Sequence, residues 1–76
     1  MAELPVITGK YLVSLLEKQG FIVLRIRGSH YRMKHPDGRY TTVPVHNNVD
    51  LPKGLLRKII REDLEMDIDD FIIRYL

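Results

Sequence analysis

A histidine set among arginines is the part of this sequence best equipped for chemistry. In the stretch Arg25-Ile26-Arg27-Gly28-Ser29-His30-Tyr31-Arg32-Met33-Lys34, one imidazole is flanked by Arg25, Arg27, Arg32 and Lys34. Histidine ordinarily titrates near pH 6.5, so it can take up and return a proton near neutrality. Guanidinium groups hold phosphates through charge-assisted hydrogen bonds. These are the parts that cleavage of RNA needs without a metal. A base removes the 2′-hydroxyl proton, the oxygen attacks the adjacent phosphorus, and cations stabilise the charge of the transition state. A lone surface histidine is equally an ordinary solvated side chain, so the chemistry depends on how the fold arranges these residues.

The other two histidines carry less. His35 precedes the turn signal Pro36-Asp37-Gly38 and is expected to face inward in a structural role. His46 opens a loop after Pro44-Val45, where it could act as a second acid or base, touch a phosphate, or fix the loop by a hydrogen bond. The spacing of the three does not match a helical ligand pair or a zinc finger, so no metal is expected. The chain also lacks a dinucleotide fingerprint, a P-loop and a GxSxG elbow, so no cofactor is implied.

What must position His30 is a hairpin. Residues 21–27 are rich in β-branched side chains and 30–35 alternate polar and apolar, with Gly28-Ser29 between them. Gly followed by Ser suits a two-residue type II′ turn, because Gly tolerates positive φ at the first turn position. A third strand over 39–45 follows, with Pro44 marking an edge or an exit, since proline has no N–H to donate. Before the hairpin, Thr8 caps a helix over 9–19 with Leu12, Leu15 and Leu16 at helical spacing, and Gly20 stops it. After it, Asp50 is expected to cap a helix over 51–63, and Asp67 a short terminal helix with Ile68, Phe71, Ile72 and Tyr75 on one stripe. The expected fold is a two-layer α+β domain of order α-β-β-β-α, a three-stranded antiparallel sheet with helices on one face and a short extra C-terminal helix.

Placing Gly28 and Ser29 at the turn sets Arg27 opposite His30, Ile26 opposite Tyr31, Arg25 opposite Arg32, Leu24 opposite Met33 and Val23 opposite Lys34. Ile22, Leu24, Ile26, Tyr31 and Met33 then face the helices. Arg25, Arg27, His30, Arg32 and Lys34 share the open face. Arg25 across from Arg32 is a like-charge pair, which a bound polyanion would compensate and splayed, solvated side chains would tolerate.

The charge distribution agrees with a basic body. Residues 1–61 carry eleven basic and four acidic side chains, a net +7, whereas residues 62–76 carry one and six, a net −5. A chain of 76 residues is expected to form one domain, 1–76, too small for a deep cofactor pocket, so chemistry must sit on a surface. It has no cysteine, no apolar run of membrane-spanning length and no signal pattern, which leads to an expected cytoplasmic setting without membrane attachment.

The ordered set Gly28-Ser29-His30, His35-Pro36-Asp37-Gly38-Arg39, Val43-Pro44-Val45-His46 and Lys53-Gly54-Leu55-Leu56-Arg57, preceded by Thr8-Gly9-Lys10, Leu15-Leu16 and Gly20-Phe21, resembles the HicA (YcfA-like) toxin family over about residues 8 to 72. The resemblance implies a fold like that of a double-stranded-RNA-binding domain, an mRNA interferase activity on mRNA or other single-stranded RNA, and neutralisation by a HicB-type antitoxin. It assigns the catalytic role to His30, the histidine of Gly-Ser-His. Gly28, Ser29, His46 and Gly54 also match, with Gly28 and Gly54 read as structural. Two alternatives stay open on the residues alone: a non-catalytic RNA-binding module using the same face, and an interaction domain that docks an acidic partner.

Overall fold

A computed structural model describes residues 3–76. The first helix, α1 (Gly9–Lys18), begins where a side chain can satisfy its orphan donors: Thr8 is extended, and its hydroxyl accepts the Tyr11 N–H at 3.1 Å. It buries Leu12, Val13, Leu15 and Leu16 and ends before Gly20, whose φ of +100° is the left-handed exit a glycine makes at little cost.

The strands β1 (Ile22–Arg27), β2 (His30–Lys34) and β3 (Tyr40–Pro44) form an antiparallel sheet of order β1-β2-β3. Gly28 alone of the two turn residues has positive φ, as a type II′ turn demands. β3 is an edge strand and Pro44 its last residue, so the missing N–H costs no ladder bond.

Next to the turn the pairing is as expected: Arg27 faces His30, Ile26 faces Tyr31 and Arg25 faces Arg32. Beyond Arg25 it is not. Val23 pairs with Met33 and Ile22 with Lys34, which leaves Leu24 as the extra residue of a β-bulge. One inserted residue inverts the faces of everything before it. Val23 therefore takes the inward place against the core, Ile22 lies on the open face, and Leu24 is half exposed in the bulge. Ile26 keeps its inward parity but is also largely exposed, because it lies at the end of an edge strand. Of the five residues expected to face the helices, Tyr31 and Met33 are packed there.

The second helical segment is α2 (Lys53–Lys58), which runs directly into one π-helical turn, Ile59–Asp63. In that turn the Leu64 N–H reaches back to the Ile59 carbonyl at 2.9 Å, five residues away, and the wider winding keeps Ile59, Ile60 and Leu64 all buried. The segment ends at 63 as expected but does not start on an Asp50 cap. Pro52 occupies the cap position, and Asp50 forms a bridge with Thr8 while the Leu51 N–H donates to the Ile7 carbonyl at 2.8 Å. Pairing with the N-terminal segment holds 50 and 51 extended and brings Leu4, Ile7 and Leu51 into the core.

The terminal helix α3 (Ile68–Tyr75) starts after Asp67 and buries Phe71 and Tyr75. Its first turn carries Asp69 and Asp70, favourable at the positive end of a helix dipole, so part of the acidic tail has a local structural role. The element order is thus α-β-β-β-α with an added helix, an α+β fold with an open three-stranded sheet. Among the described residues, no helix is long and apolar enough to cross a membrane.

Candidate nucleic-acid interface

The face of the sheet away from the helices is built of three cross-strand rows. Nearest the hairpin turn are Arg27, His30 and Pro44; next come Arg25, Arg32 and Thr42; furthest are Ile22, Lys34 and Tyr40. Arg25, Arg27, His30, Arg32 and Lys34 therefore do share one face. His30 is exposed, and its ring makes no hydrogen bond to any described residue. Among the described residues, no carboxylate pairs with any of the five.

Arg32 shows how the like-charge pair is tolerated. Its guanidinium turns away from Arg25 toward β3, donating to the Thr42 hydroxyl at 3.1 Å and lying 4.8 Å from the centre of the Tyr40 ring. Lys34 approaches the same ring, its Nζ 5.2 Å from the centre. A cation held over an aromatic face gains electrostatic attraction from the ring quadrupole. Tyr40 and Thr42 are part of this face and were missed by the sequence reading. The signal was present, since alternation along 39–45 sends Thr41 and Val43 inward and the residues between them outward.

Gly28 and Ser29 form the turn itself. The Ser29 carbonyl accepts the Val45 N–H at 2.6 Å, which ties the chain leaving β3 to the turn that carries His30. His46 follows immediately and is exposed at the same end of the sheet. Its carbonyl accepts the Val49 N–H at 3.1 Å, but its imidazole bonds to no described residue, so the loop is fixed by its backbone rather than by that side chain. Gly54, expected to be structural, has nothing within 4 Å of where a Cβ would stand and no left-handed φ. Close packing does not explain it.

His35 is structural, as expected, although beside Asp37 it looks like a catalytic pair. Its Nε2 lies 2.9 Å from the Gln19 carbonyl, which can only accept, so that nitrogen carries the proton and Nδ1 accepts the Asp37 N–H at 3.1 Å. The ring also packs edge-on against Phe21 at 5.0 Å between centres. Both nitrogens are committed to holding the β2–β3 turn against the end of α1.

Asp37 completes this clamp. Desolvation pushes its carboxyl upward, but hydrogen bonds from the Arg39 N–H at 3.1 Å and guanidinium at 2.7 Å, with the charge of Arg39, outweigh it and hold the group below its ordinary 3.8; the His35 ring, whose Nδ1 lies 3.0 Å from Oδ1, adds its charge when it is protonated. A carboxyl lowered in the folded state stabilises the fold above the unfolded value and loses that contribution as pH falls through the folded one. The melting-temperature advantage of wild type over Asp37→Asn should therefore be constant near neutrality and shrink below pH 3.8. Thermal unfolding followed from neutral pH to about pH 2.5 checks this, and a gap independent of pH would refute it.

Among the described residues, no group of three or more His, Asp or Glu side chains gathers as a metal site. The face is instead a row of cations around an exposed imidazole, the arrangement suited to holding phosphates and moving one proton. The family model described as the HicA toxin of bacterial toxin-antitoxin matches residues 9–64. The chain belongs to the HicA toxin family. All three rows of the open face, the hairpin turn and His46 lie inside the matched span, whereas α3 and the N-terminal segment that supplies Leu4 and Ile7 lie outside it. Membership of the HicA family gives the chain the role of a toxin that pairs with an antitoxin. Comparison with curated proteins returns no match.

Proposed function

We propose that this HicA toxin is a metal-independent endoribonuclease acting on mRNA, or on single-stranded RNA generally, in the cytoplasm. The observation that carries the reading is the open sheet face itself: Arg25, Arg27, Arg32 and Lys34, four basic side chains without a paired carboxylate among the described residues, on one face with the exposed His30. His30 takes the 2′-hydroxyl proton as O2′ attacks phosphorus. The bond from phosphorus to the 5′-oxygen breaks, and that oxygen receives a proton from the imidazolium of His30 or from His46 at the same end of the sheet. The products are a 2′,3′-cyclic phosphate and a 5′-hydroxyl. Arg27, which pairs with His30 across the turn, holds the reacting phosphate in this reading, and Arg25, Arg32 and Lys34 hold its neighbours.

The same face indicates how the partner would act. A HicB-type antitoxin presenting carboxylates to these cations would inhibit by covering His30. The direct experiment incubates purified protein with a long single-stranded RNA in EDTA and labels the new 5′-hydroxyl ends. Cleavage abolished by chelation, or ends carrying 5′-phosphate, would overturn the mechanism. Salt-sensitive binding with no cleavage would instead identify a non-catalytic RNA-binding module on the same face.

A further inference from the structure

The third row of the open face holds the aromatic side chain of Tyr40, which the cleavage chemistry does not use. Tyr31, the other tyrosine of the sheet, faces the core, so among the described residues Tyr40 is the one phenol ring on this surface. It is 40% exposed, so part of the side chain remains open to a ligand. Arg32 and Lys34 lie against it at 4.8 and 5.2 Å, and the Thr42 hydroxyl fixes the Arg32 guanidinium at 3.1 Å. The Arg32 guanidinium and the Lys34 ammonium both lie over the ring, so the surface a base meets here is aromatic and cationic at once.

We propose that Tyr40, with Arg32 and Lys34, is a base-stacking subsite that takes one unpaired nucleobase of the RNA and seats its phosphates on the two cations. The inference rests on the reading of this face as the RNA-cleaving surface and goes beyond it by naming the subsite that holds an unpaired base of that substrate. Single-stranded nucleic acids are held by this combination of a cationic track and a π-face, each stacked base contributing substantially and with little sequence preference. A duplex cannot use it, because its bases are already stacked on one another.

The position matters as much as the chemistry. Tyr40 stands four residues along β3 from Pro44, which is opposite His30, a separation of about 13 Å at the rise of a β-strand. The stacked base therefore belongs to a neighbouring nucleotide, not to the one that His30 attacks. Tyr40 is a positioning residue: it anchors the strand at one end of the face so that a particular phosphate lies between Arg27 and His30. The competing account is that the ring merely relieves repulsion between Arg32 and Lys34. That role needs no base and is indifferent to RNA.

The test uses the full chain with His30→Ala, so that RNA is bound without being cut, and a single-stranded oligoribonucleotide carrying 2-aminopurine, whose fluorescence is quenched by stacking. Binding with quenching is expected, weakened about tenfold and unquenched when Tyr40→Leu is added, with Tyr40→Phe within about twofold of the parent. A duplex of the same sequence should bind equally well with or without Tyr40. Equal affinity and equal quenching for the Leu and Phe variants, at similar melting temperatures, would overturn the subsite while leaving the RNA reading intact. Failure of the His30→Ala protein to bind any RNA would overturn both, and the two failures are distinguished by the binding isotherm of that parent alone.

Discussion

Replacing His30 by alanine should cut the rate of RNA cleavage by about 10²- to 10⁴-fold, the range that general acid–base groups contribute, and leave the protein folded. The separation of the two effects follows from where the side chain stands. His30 is exposed on the open face and its ring bonds to no described residue, so its removal opens no cavity and orphans no partner. His35→Ala should do the opposite. It removes the bond to the Gln19 carbonyl, the partner of the Asp37 N–H and the edge-on contact with Phe21, and so lowers the melting temperature without touching the chemistry. Cleavage measured per folded molecule, beside a thermal melt, discriminates the pair. Inducible expression gives the same comparison in cells: growth arrest with wild type and none with His30→Ala. Equal cleavage by His30→Ala would end the catalytic assignment, and RNA binding that persists without cleavage in the wild type would leave only the module.

The part of the fold that positions His30 was legible because charge enforced it. Arg25, Arg27, Arg32 and Lys34 each carry a group that cannot be buried unpaired, so only one parity of the hairpin near the turn is open to the chain, and that parity is observed. The constraint ends at Arg25. Ile22, Val23 and Leu24 are all apolar and fit either face, so nothing in their types betrays a bulge, and only packing against Met33 selects Val23 as the inward residue. Asp50 failed for a different reason. A good cap residue three positions before a helix was overridden by a tertiary pairing, Thr8 with Asp50, that no local pattern contains. The π turn was hidden by agreement rather than conflict, since the apolar spacing of Ile59, Ile60 and Leu64 reads as helix whichever way the turn is wound. Tyr40 differs again, because the alternation that places it outward was in the sequence and needed only to be read along the third strand as it was along the first two.

Gly9→Ala should cost about 2 to 3 kcal/mol, although alanine is ordinarily the better helix former by up to about 1 kcal/mol. Gly9 is the first residue of α1 and lies against the exit of β3. A Cβ there would drive into the Pro44 carbonyl oxygen, with the Pro44 carbonyl carbon at 3.0 Å and the Val45 Cα at 3.2 Å. All three are backbone atoms, so no side-chain rotation relieves the clash and either the helix or the strand end must move. At roughly 4 to 8 °C per kcal/mol for a domain of this size, the melting temperature should fall by about 10 °C or more. Gly54→Ala supplies the contrast within the same protein. Its Cβ would enter open space in α2, so the ordinary preference for alanine should prevail and the melt should rise slightly. The displacement at Gly9 also has a functional direction. Pro44 pairs with His30, and the Val45 N–H is bonded to the Ser29 carbonyl, so a strand end pushed off α1 drags the turn that carries the imidazole. Cleavage per folded molecule should therefore fall in Gly9→Ala even well below its melting point, and stay at the wild-type value in Gly54→Ala. A Gly9→Ala protein that melts with wild type would show that helix and strand do not approach this closely, and one that is destabilised but fully active would uncouple this contact from the placement of His30.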